Sequence, residues 1–274
     1  MKRIFLHGMM AFIVVATVVV VGSIAAPSYA QQAGILGDVT QRGNVRIAII
    51  GGNAPYSKLN PSGEPEGYDI DIGKMIAAAL KVKPEFIITD IPGRIVSLQT
   101  HKADLTIADF TKTVERSKSI AFTDPYLVVS LQFLTLADRS DLKTVADLSN
   151  SKVKIGITRG GTAEQNVPLA APNATLARFD NETDILSAVN AKQVDAMSQD
   201  NLYNADLMTK NPGKYKVLPG LYSREEIAIG LPAGDFDWWR ALNAWVEQFN
   251  ASGENGRLFK KWFGYDLPPI QAQY

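Results

Sequence analysis

A hydroxyl, a guanidinium and a helix start follow one short apolar run, and together they are suited to holding an anion. Residues 105–108 predict a strand, Asp109 and Thr111 follow it as a polar corner, and Thr113 can cap a helix whose third residue is Arg116. A guanidinium presents a planar fork of donors that matches a carboxylate, and a helix start adds unpaired backbone N–H groups. This corner therefore predicts a carboxylate-binding site.

For each of the two arginines near strand ends, we weigh a purely structural role against ligand binding. Arg116 could lie on the surface and pair with Glu115 or Asp124, which would leave a capped helix and no site. Arg94 lies at a predicted helix start, where a cation opposes the helix dipole. That position favours a role in ligand binding over an idle one.

A glycine pair follows another predicted strand, in the run 158–162. Gly160 and Gly161 would let a ligand approach the backbone closely, and the helix that begins at Thr162 would supply N–H donors. The alternative is a tight turn in which Thr162 caps the helix through a T-x-x-Q pattern with Gln165.

Three further polar residues lie at the carboxyl ends of predicted strands, where open α/β sheets bind their ligands. Asp200 could accept hydrogen bonds from an ammonium group or cap the next helix. Asn53 and Tyr56 follow the first strand at its ligand end and are the remaining candidate ligand-binding residues, and packing is the favoured alternative for Tyr56.

Enzyme chemistry has little support in the sequence. His7 lies in the predicted leader and His101 stands beside Lys102, so no catalytic histidine is evident. The chain has no cysteine, which excludes disulfides, thiolate metal sites and a cysteine nucleophile. The motifs HExxH and GxSxG are absent as well. We predict no catalytic residue, no metal and no cofactor.

The first 30 residues are typical of an export signal. Lys2 and Arg3 precede an uncharged apolar run over 9–26, and the small residues Ser28 and Ala30 suit a cleavage site. The run approaches the length of a membrane span, so an uncleaved anchor is the alternative. The chain carries 28 basic and 28 acidic residues, a balance that favours neither nucleic acid nor an anionic membrane as a partner.

Strands and helices alternate along the rest of the chain and predict an α/β fold. The first alternating set spans 45–116 and the second 153–218. Between and after them, the apolar runs 127–136 and 227–231 could carry the chain into a second domain and back. Two amphipathic helices close the sequence. We predict no element in the polar leader 31–43 or in the turn-rich stretch 53–67.

Seven ordered motifs link these candidates to a known family. They are Gly67-Tyr68-Asp69-Ile70-Asp71, Leu98 to Asp104, Thr111 with Thr113 and Arg116, Phe122-Thr123-Asp124-Pro125-Tyr126, Gly160-Gly161-Thr162, Val194-Asp195-Ala196 to Asp200, and Lys261-Trp262-Phe263-Gly264. With these motifs the chain resembles extracellular solute-binding protein family 3, the periplasmic amino-acid receptors of ABC importers.

The resemblance implies a type II periplasmic-binding-protein fold, with two Rossmann-like lobes joined by two hinge crossings. The first lobe would comprise 31–127 and 226–274, and the second 128–225. The lobes would close on the ligand by hinge bending.

By the same resemblance, Arg116 and Thr111 hold the α-carboxylate of the ligand. Thr162 and the backbone amides of Gly160 and Gly161 complete its cage from the other lobe. Asp200 takes the α-ammonium group.

Four departures from the family pattern bear on the ligand. Asn53 and Ile91 stand where many members carry aromatic residues. Arg94 matches an arginine of acidic-amino-acid binders, but Ile50 replaces the second arginine of those proteins. Asp109 adds a negative charge beside the expected α-ammonium position and could bond to Arg94 or to a cationic ligand group. A polar amino acid or a derivative is therefore expected.

The function implied is amino acid transport: a monomeric periplasmic receptor that passes a small ligand to a membrane permease and carries out no chemistry. The alternative is a periplasmic enzyme of the cyclohexadienyl-dehydratase type on the same scaffold, for which Asp109 is the candidate acid. The sensing module of a signalling receptor is a third class, which would need an uncleaved anchor and a separate partner.

Overall fold

Two α/β lobes make up the part of the chain that the computed structural model describes, residues 34–270. The predicted export signal lies outside these residues. The strands and helices are α1 (Ile35–Arg42), β1 (Asn44–Ile50), β2 (Gly52–Asn53), β3 (Ser57–Leu59), β4 (Pro65–Glu66), α2 (Tyr68–Ala79), β5 (Lys83–Thr89), α3 (Gly93–Gln99), β6 (Leu105–Thr106), α4 (Val114–Ser117), β7 (Ile120–Val129), β8 (Leu131–Leu136), a 3-10 helix (Val145–Leu148), β9 (Lys154–Thr158), α5 (Ala163–Ala170), β10 (Thr175–Phe179), α6 (Glu182–Asn190), β11 (Ala196–Asp200), α7 (Asn201–Lys210), β12 (Tyr215–Val217), β13 (Glu225–Pro232), α8 (Phe236–Ala251) and α9 (Glu254–Phe263).

Each lobe is built on a five-stranded mixed sheet. The first sheet has the order β5-β1-β6-β13-β7, and the second has the order β10-β9-β11-β8-β12. In the first sheet β1 runs parallel to β5 and β6, while β13 runs antiparallel to β6 and β7. In the second, β9 runs parallel to β10 and β11, while β8 runs antiparallel to β11 and β12. The α/β class predicted from the alternating pattern is confirmed.

The chain crosses between the two sheets twice. Strand β7 ends at Val129 and β8 begins at Leu131, so Ser130 alone separates strands of different sheets. The return crossing lies between Val217 and Glu225, where β13 re-enters the first sheet. The lobe boundaries 31–127, 128–225 and 226–274 stay predictions.

The first lobe has a large apolar core in which the C-terminal helices pack on β1 and α2. Trp238 of α8 is fully buried, and its indole Nε1 donates to the carbonyl of Asp104 at 2.9 Å. Tyr68 of α2 lies in the same core, edge-on to Phe259 of α9. These contacts connect the two C-terminal helices, α8 and α9, to earlier elements of the first lobe. Within residues 34–270, no helix has the length and apolar character that crossing a membrane requires.

Two predicted irregular stretches contain regular structure, so those predictions were wrong. The polar leader contains α1, whose Val39 is buried in the first core and whose Ile35 backbone N–H donates to Asp235 at 2.7 Å. Tertiary contacts stabilise this helix despite its polar sequence. The turn-rich stretch holds β2, β3 and β4, a small antiparallel sheet of two- and three-residue strands too short to leave an alternating pattern.

Candidate functional site

A narrow polar cleft lies between the lobes and encloses about 30 Å³. Seven of the ten predicted site residues line it, namely Arg94, Asp109, Thr111, Arg116, Gly161, Thr162 and Asp200. The other three, Asn53, Tyr56 and Gly160, each form a hydrogen bond with one of those seven. That space has room for only about two water molecules. The lobes must therefore move apart before an amino acid can enter.

Arg116 is buried in this cleft, at 9 % exposure, and contacts both lobes. Thr113 caps its helix, α4, by accepting a hydrogen bond from the Arg116 backbone N–H at 3.2 Å. The guanidinium donates through Nη1 to the carbonyl of Thr111 at 2.6 Å and through Nη2 to the carbonyl of Gly160 at 3.0 Å. The Gly160 bond reaches across to the second lobe, where a positive φ of 71° suits this glycine.

The surface interpretation of Arg116 is therefore wrong. Glu115 pairs with Lys118, and Asp124 accepts from the side chain of Asn243. Burial, followed by the nearby positive charge of Arg94, lowers the pKa of Arg116 to about 9, so its guanidinium still carries a charge at neutral pH.

Glu225 is a site residue that sequence reasoning missed. It is buried at the first position of β13, and its Oε2 accepts from the hydroxyl of Thr111 at 2.8 Å and from that of Thr162 at 2.7 Å. Asn166 Nδ2 lies 3.4 Å from its Oε1. The two hydroxyls that the family resemblance assigned to the ligand carboxylate thus bind a carboxylate of the protein itself.

The cap predicted at Thr162 is not formed. Thr162 has helical backbone angles, φ −69° and ψ −23°, rather than the extended conformation of a capping residue, so its side chain makes no hydrogen bond to α5. Its hydroxyl donates to Glu225 instead. The sequence offered no signal for this pairing, since the two residues are 63 positions apart.

Asp200 has the capping role weighed for it, and its role as an ammonium acceptor stays a prediction. Its Oδ1 caps α7 by accepting from the backbone N–H groups of Leu202 and Tyr203 at 2.8 and 2.9 Å. The same atom accepts from the hydroxyl of Tyr56 at 2.9 Å, a bond between the lobes. Its Oδ2 is buried and has no hydrogen-bond partner among residues 34–270. That oxygen is free to accept from a ligand.

Tyr56 packs in the core, as interpreted from the sequence, and its hydroxyl also makes this polar contact. Its ring is fully buried and lies edge-on to Phe263 with 5.5 Å between centroids. Tyr56 is connected to the cleft by its hydrogen bond to Asp200. Burial raises the pKa of the Asp200 carboxyl to about 6, against the lowering effect of its hydrogen bonds.

Asp109 is held by its neighbours in an uncommon backbone conformation, with φ at 45°. Its backbone N–H donates to Asp69 at 2.8 Å, and its carboxylate accepts from Asn53 Nδ2 at 3.1 Å. Arg94 donates to the backbone carbonyls of Ala108 and Asp109, both at 3.0 Å. Burial and the nearby carboxylates of Asp200 and Asp69 raise the pKa of Asp109 well above its usual value.

Both cleft arginines pack against the ring of Phe110. The guanidinium carbons of Arg94 and Arg116 lie 4.6 and 5.0 Å from the centroid of the Phe110 ring, within cation–π range. Ile50 and Ile91, two of the four departures from the family pattern, pack together with Ala108. Both replacements thus make this wall aliphatic.

Glu182 and Gln199 complete the polar lining and were not among the predicted residues. Glu182 is the first residue of α6 and only 2 % exposed, and its carboxylate accepts from Gln199 Nε2 at 3.3 Å. Burial raises its pKa. Within residues 34–270, no group of three or more His, Cys, Asp or Glu side chains is arranged to hold a metal ion.

The geometry agrees with comparisons to known proteins. The family model for bacterial extracellular solute-binding proteins, family 3, matches residues 45–265. The L-cystine-binding protein TcyJ of Escherichia coli K12 is 26% identical over 261 residues, which cover 95% of this chain and 97% of that protein.

Solved structures share the two-lobe fold. The ancestral amino acid-binding protein AncCDT-1, described as a precursor of cyclohexadienyl dehydratase, is 30% identical with a TM-score of 0.79, covering 84% of this chain and 100% of its own. A mutant of ArgBP from T. maritima is 27% identical with a TM-score of 0.78, covering 85% and 100%. The chain belongs to the bacterial extracellular solute-binding proteins, family 3.

Proposed function

We propose that this protein is the periplasmic receptor of an ABC importer and binds a polar amino acid, or a derivative of one, between its lobes. The observation that carries the proposal is that one cleft buries a guanidinium of the first lobe, Arg116, and a carboxylate of the second, Asp200. A zwitterion bound there attracts both lobes at once. It therefore stabilises the closed arrangement more than the open one.

The ligand's α-carboxylate binds Arg116 together with Thr111 and Thr162, and its α-ammonium group binds the unpaired Oδ2 of Asp200. The backbone amides of Gly160 and Gly161, which now donate to Glu164 and to the carbonyl of Thr158, complete the carboxylate cage. Arg116 now donates to two backbone carbonyls and the hydroxyls now donate to Glu225, so binding requires that these bonds be exchanged.

Family membership and the leader sequence are the grounds for proposing how the protein is exported and how it delivers its ligand. A signal peptide over residues 1–30 is cleaved, the receptor acts as a monomer in the periplasm, and the closed, loaded form is recognised by a membrane permease. The receptor releases its ligand chemically unchanged.

A thermal-shift screen of the mature protein against amino acids, opines, polyamines and small amides tests the proposal. A ligand at 100 times its Kd adds about 2.7 kcal/mol to the free energy of unfolding, a readily measured shift. Arg116→Ala should lose that stabilisation, while the matched exposed variant Arg240→Ala should keep it. A full ligand response in Arg116→Ala would remove the proposed site.

An enzyme on the same scaffold is the second candidate, because the cleft lining includes Asp109, Asp200 and Glu182, three carboxyls with raised pKa values. Raised pKa values suit acid–base chemistry. Incubation of each screening hit with the protein, followed by mass spectrometry, separates the two functions. Consumption of the hit would favour the dehydratase-type enzyme, and its recovery unchanged would favour the receptor.

A further inference from the structure

A larger cavity of about 500 Å³ adjoins the cleft and shares Ile91 and Glu182 with it. Its first-lobe wall includes Gly51, Gly52 and Asp90, and its second-lobe wall is formed by residues 180–184. Lysine and arginine are absent from this lining. The cavity is large enough for the side chain of an amino acid whose backbone groups occupy the cleft.

Four carboxyl groups line the cavity, and three of them are already engaged by the protein. Asp90 accepts from the backbone N–H of Gly93 at 2.7 Å. Asp180 pairs with Arg159 at 3.1 Å, and Asp184 accepts from Asn181 at 2.8 Å. The fourth, Glu182, stands apart from these because it is buried at the junction with the cleft.

Glu182 forms no salt bridge with the lysines and arginines of the described chain. Arg94 acts on the charge of Glu182 only from beyond ion-pair distance, and the bond of Glu182 to the Gln199 amide is long at 3.3 Å. A buried carboxylate without a cationic partner is costly unless another positive group neutralises it. Its position where the cleft meets the cavity makes it accessible to a ligand that extends from one to the other.

Two other buried acceptor atoms of this region also lack a hydrogen-bond donor. Oδ2 of Asp200 and Oδ1 of Asn53 are buried, and neither has a hydrogen-bond partner in residues 34–270. Buried polar atoms are nearly always paired, so each such atom calls for a donor. A ligand that carries several N–H groups supplies them.

The charge balance of the cleft indicates the sign of the ligand's net charge. Its lining includes four carboxyls, Asp109, Glu182, Asp200 and Glu225, but two guanidiniums. A neutral zwitterion would leave this excess of carboxyl groups over guanidiniums unchanged. An additional positive group on the ligand would offset it.

We propose, building on the receptor function above, that the ligand is an amino acid with a positively charged side chain whose ammonium or guanidinium group binds Glu182 at the mouth of the acidic cavity. Asp200 then binds the α-ammonium group, and Glu182 determines specificity by binding the second cation.

Isothermal titration with matched pairs of amino acids tests this inference. Lysine is compared with norleucine and arginine with citrulline, since each pair has nearly the same shape but differs by one positive charge. We expect the charged member of each pair to bind at least tenfold more tightly. Glu182→Gln should reduce that preference to less than threefold, whereas Glu254→Gln, the same charge change on the exposed start of α9, should keep it.

The outcomes separate the two proposals. Equal affinity for both members of each pair in the wild-type protein would overturn the cationic ligand and leave the amino-acid receptor intact. Binding of no amino acid at all would overturn both. Because the wild-type comparison is decisive alone, the test stands even if Glu182→Gln fails to fold, which its thermal transition would reveal.

Discussion

Glu225 links the lobes in the absence of ligand, and weakening this link should open the cleft. Its carboxylate belongs to the first residue of β13, a strand of the first sheet, and accepts from Thr162, which precedes α5 on the second sheet's side of the cleft, at 2.7 Å. A hydrogen bond to a charged group contributes about 1.5–3 kcal/mol, and a neutral one about 0.5–1.5 kcal/mol. Glu225→Gln keeps an acceptor but removes the charge, so the closed form should lose about 1.4 kcal/mol. That corresponds to about a tenfold shift towards the open form.

Thr162→Val removes the same bond entirely and should shift the equilibrium further, by about 2 kcal/mol or about thirtyfold. The expected order of closed populations is wild type, then Glu225→Gln, then Thr162→Val. Glu254→Gln controls for the change in net charge.

Spin-label distance measurements suit this test because the chain has no cysteine. One exposed residue in each lobe, Lys102 and Lys152, is replaced by cysteine and labelled. Without ligand, the two cleft variants should add a population at a longer or broader interlobe distance. Identical distance distributions in wild type, Glu225→Gln and Thr162→Val would refute the reasoning.

Three further predictions concern the acidic groups of the cleft. Asp200→Ala should lose ligand binding and also about 1 kcal/mol of stability, because it removes the cap of α7. Asp200→Asn should lose binding but keep most of the cap. Calorimetry measures the binding of both variants, and urea unfolding measures their stability. Burial raises the pKa values of Asp69 and Asp200 to about 6, so the folded protein holds protons that the unfolded chain releases near pH 4. The free energy of unfolding contributed by each group should then fall by up to about 3 kcal/mol as the pH rises from about 4 through 6, and a wild-type profile parallel to that of Asp200→Asn would contradict this. Asp109→Asn should change the order of ligand affinities more than the unfolding midpoint, and an unchanged ligand profile in the thermal-shift screen would argue against a role in selectivity.

Local sequence patterns predicted most of the fold and much of the site. The uninterrupted apolar run 227–231 marked β13, because strands buried on both faces leave that signature. Apolar runs interrupted by single charged residues, Arg46 and Lys154, marked β1 and β9. The corner at Thr111 and Arg116 was predictable since its strand, cap and helix occupy about a dozen consecutive residues. Helix α1 was missed because contacts with distant parts of the chain, rather than its own periodicity, stabilise it. The small sheet β2-β3-β4 was missed because its strands are too short to show an alternating pattern.

The unpredicted part of the site consists of contacts between distant residues. Thr111 and Glu225 are 114 positions apart, and their hydrogen bond exists only after β13 has entered the first sheet. Glu182 appeared in the sequence as an ordinary first-turn acid of a helix, a position that favours a carboxylate whatever its other contacts. Its importance depends on a cavity formed by both lobes.

The strand order of the first sheet also constrains the order in which the protein can fold. Strand β13, from the last quarter of the chain, lies between β6 and β7, and both of its neighbours are synthesised before the second sheet begins. The second sheet is formed by one continuous segment, from β8 to β12, and can assemble as soon as that segment is available. The first sheet must wait for its inner strand, so until then β6 and β7 lack their shared partner and expose hydrogen-bonding edges. We therefore expect the second lobe to acquire hydrogen-exchange protection first during refolding, and the ligand cleft to form last.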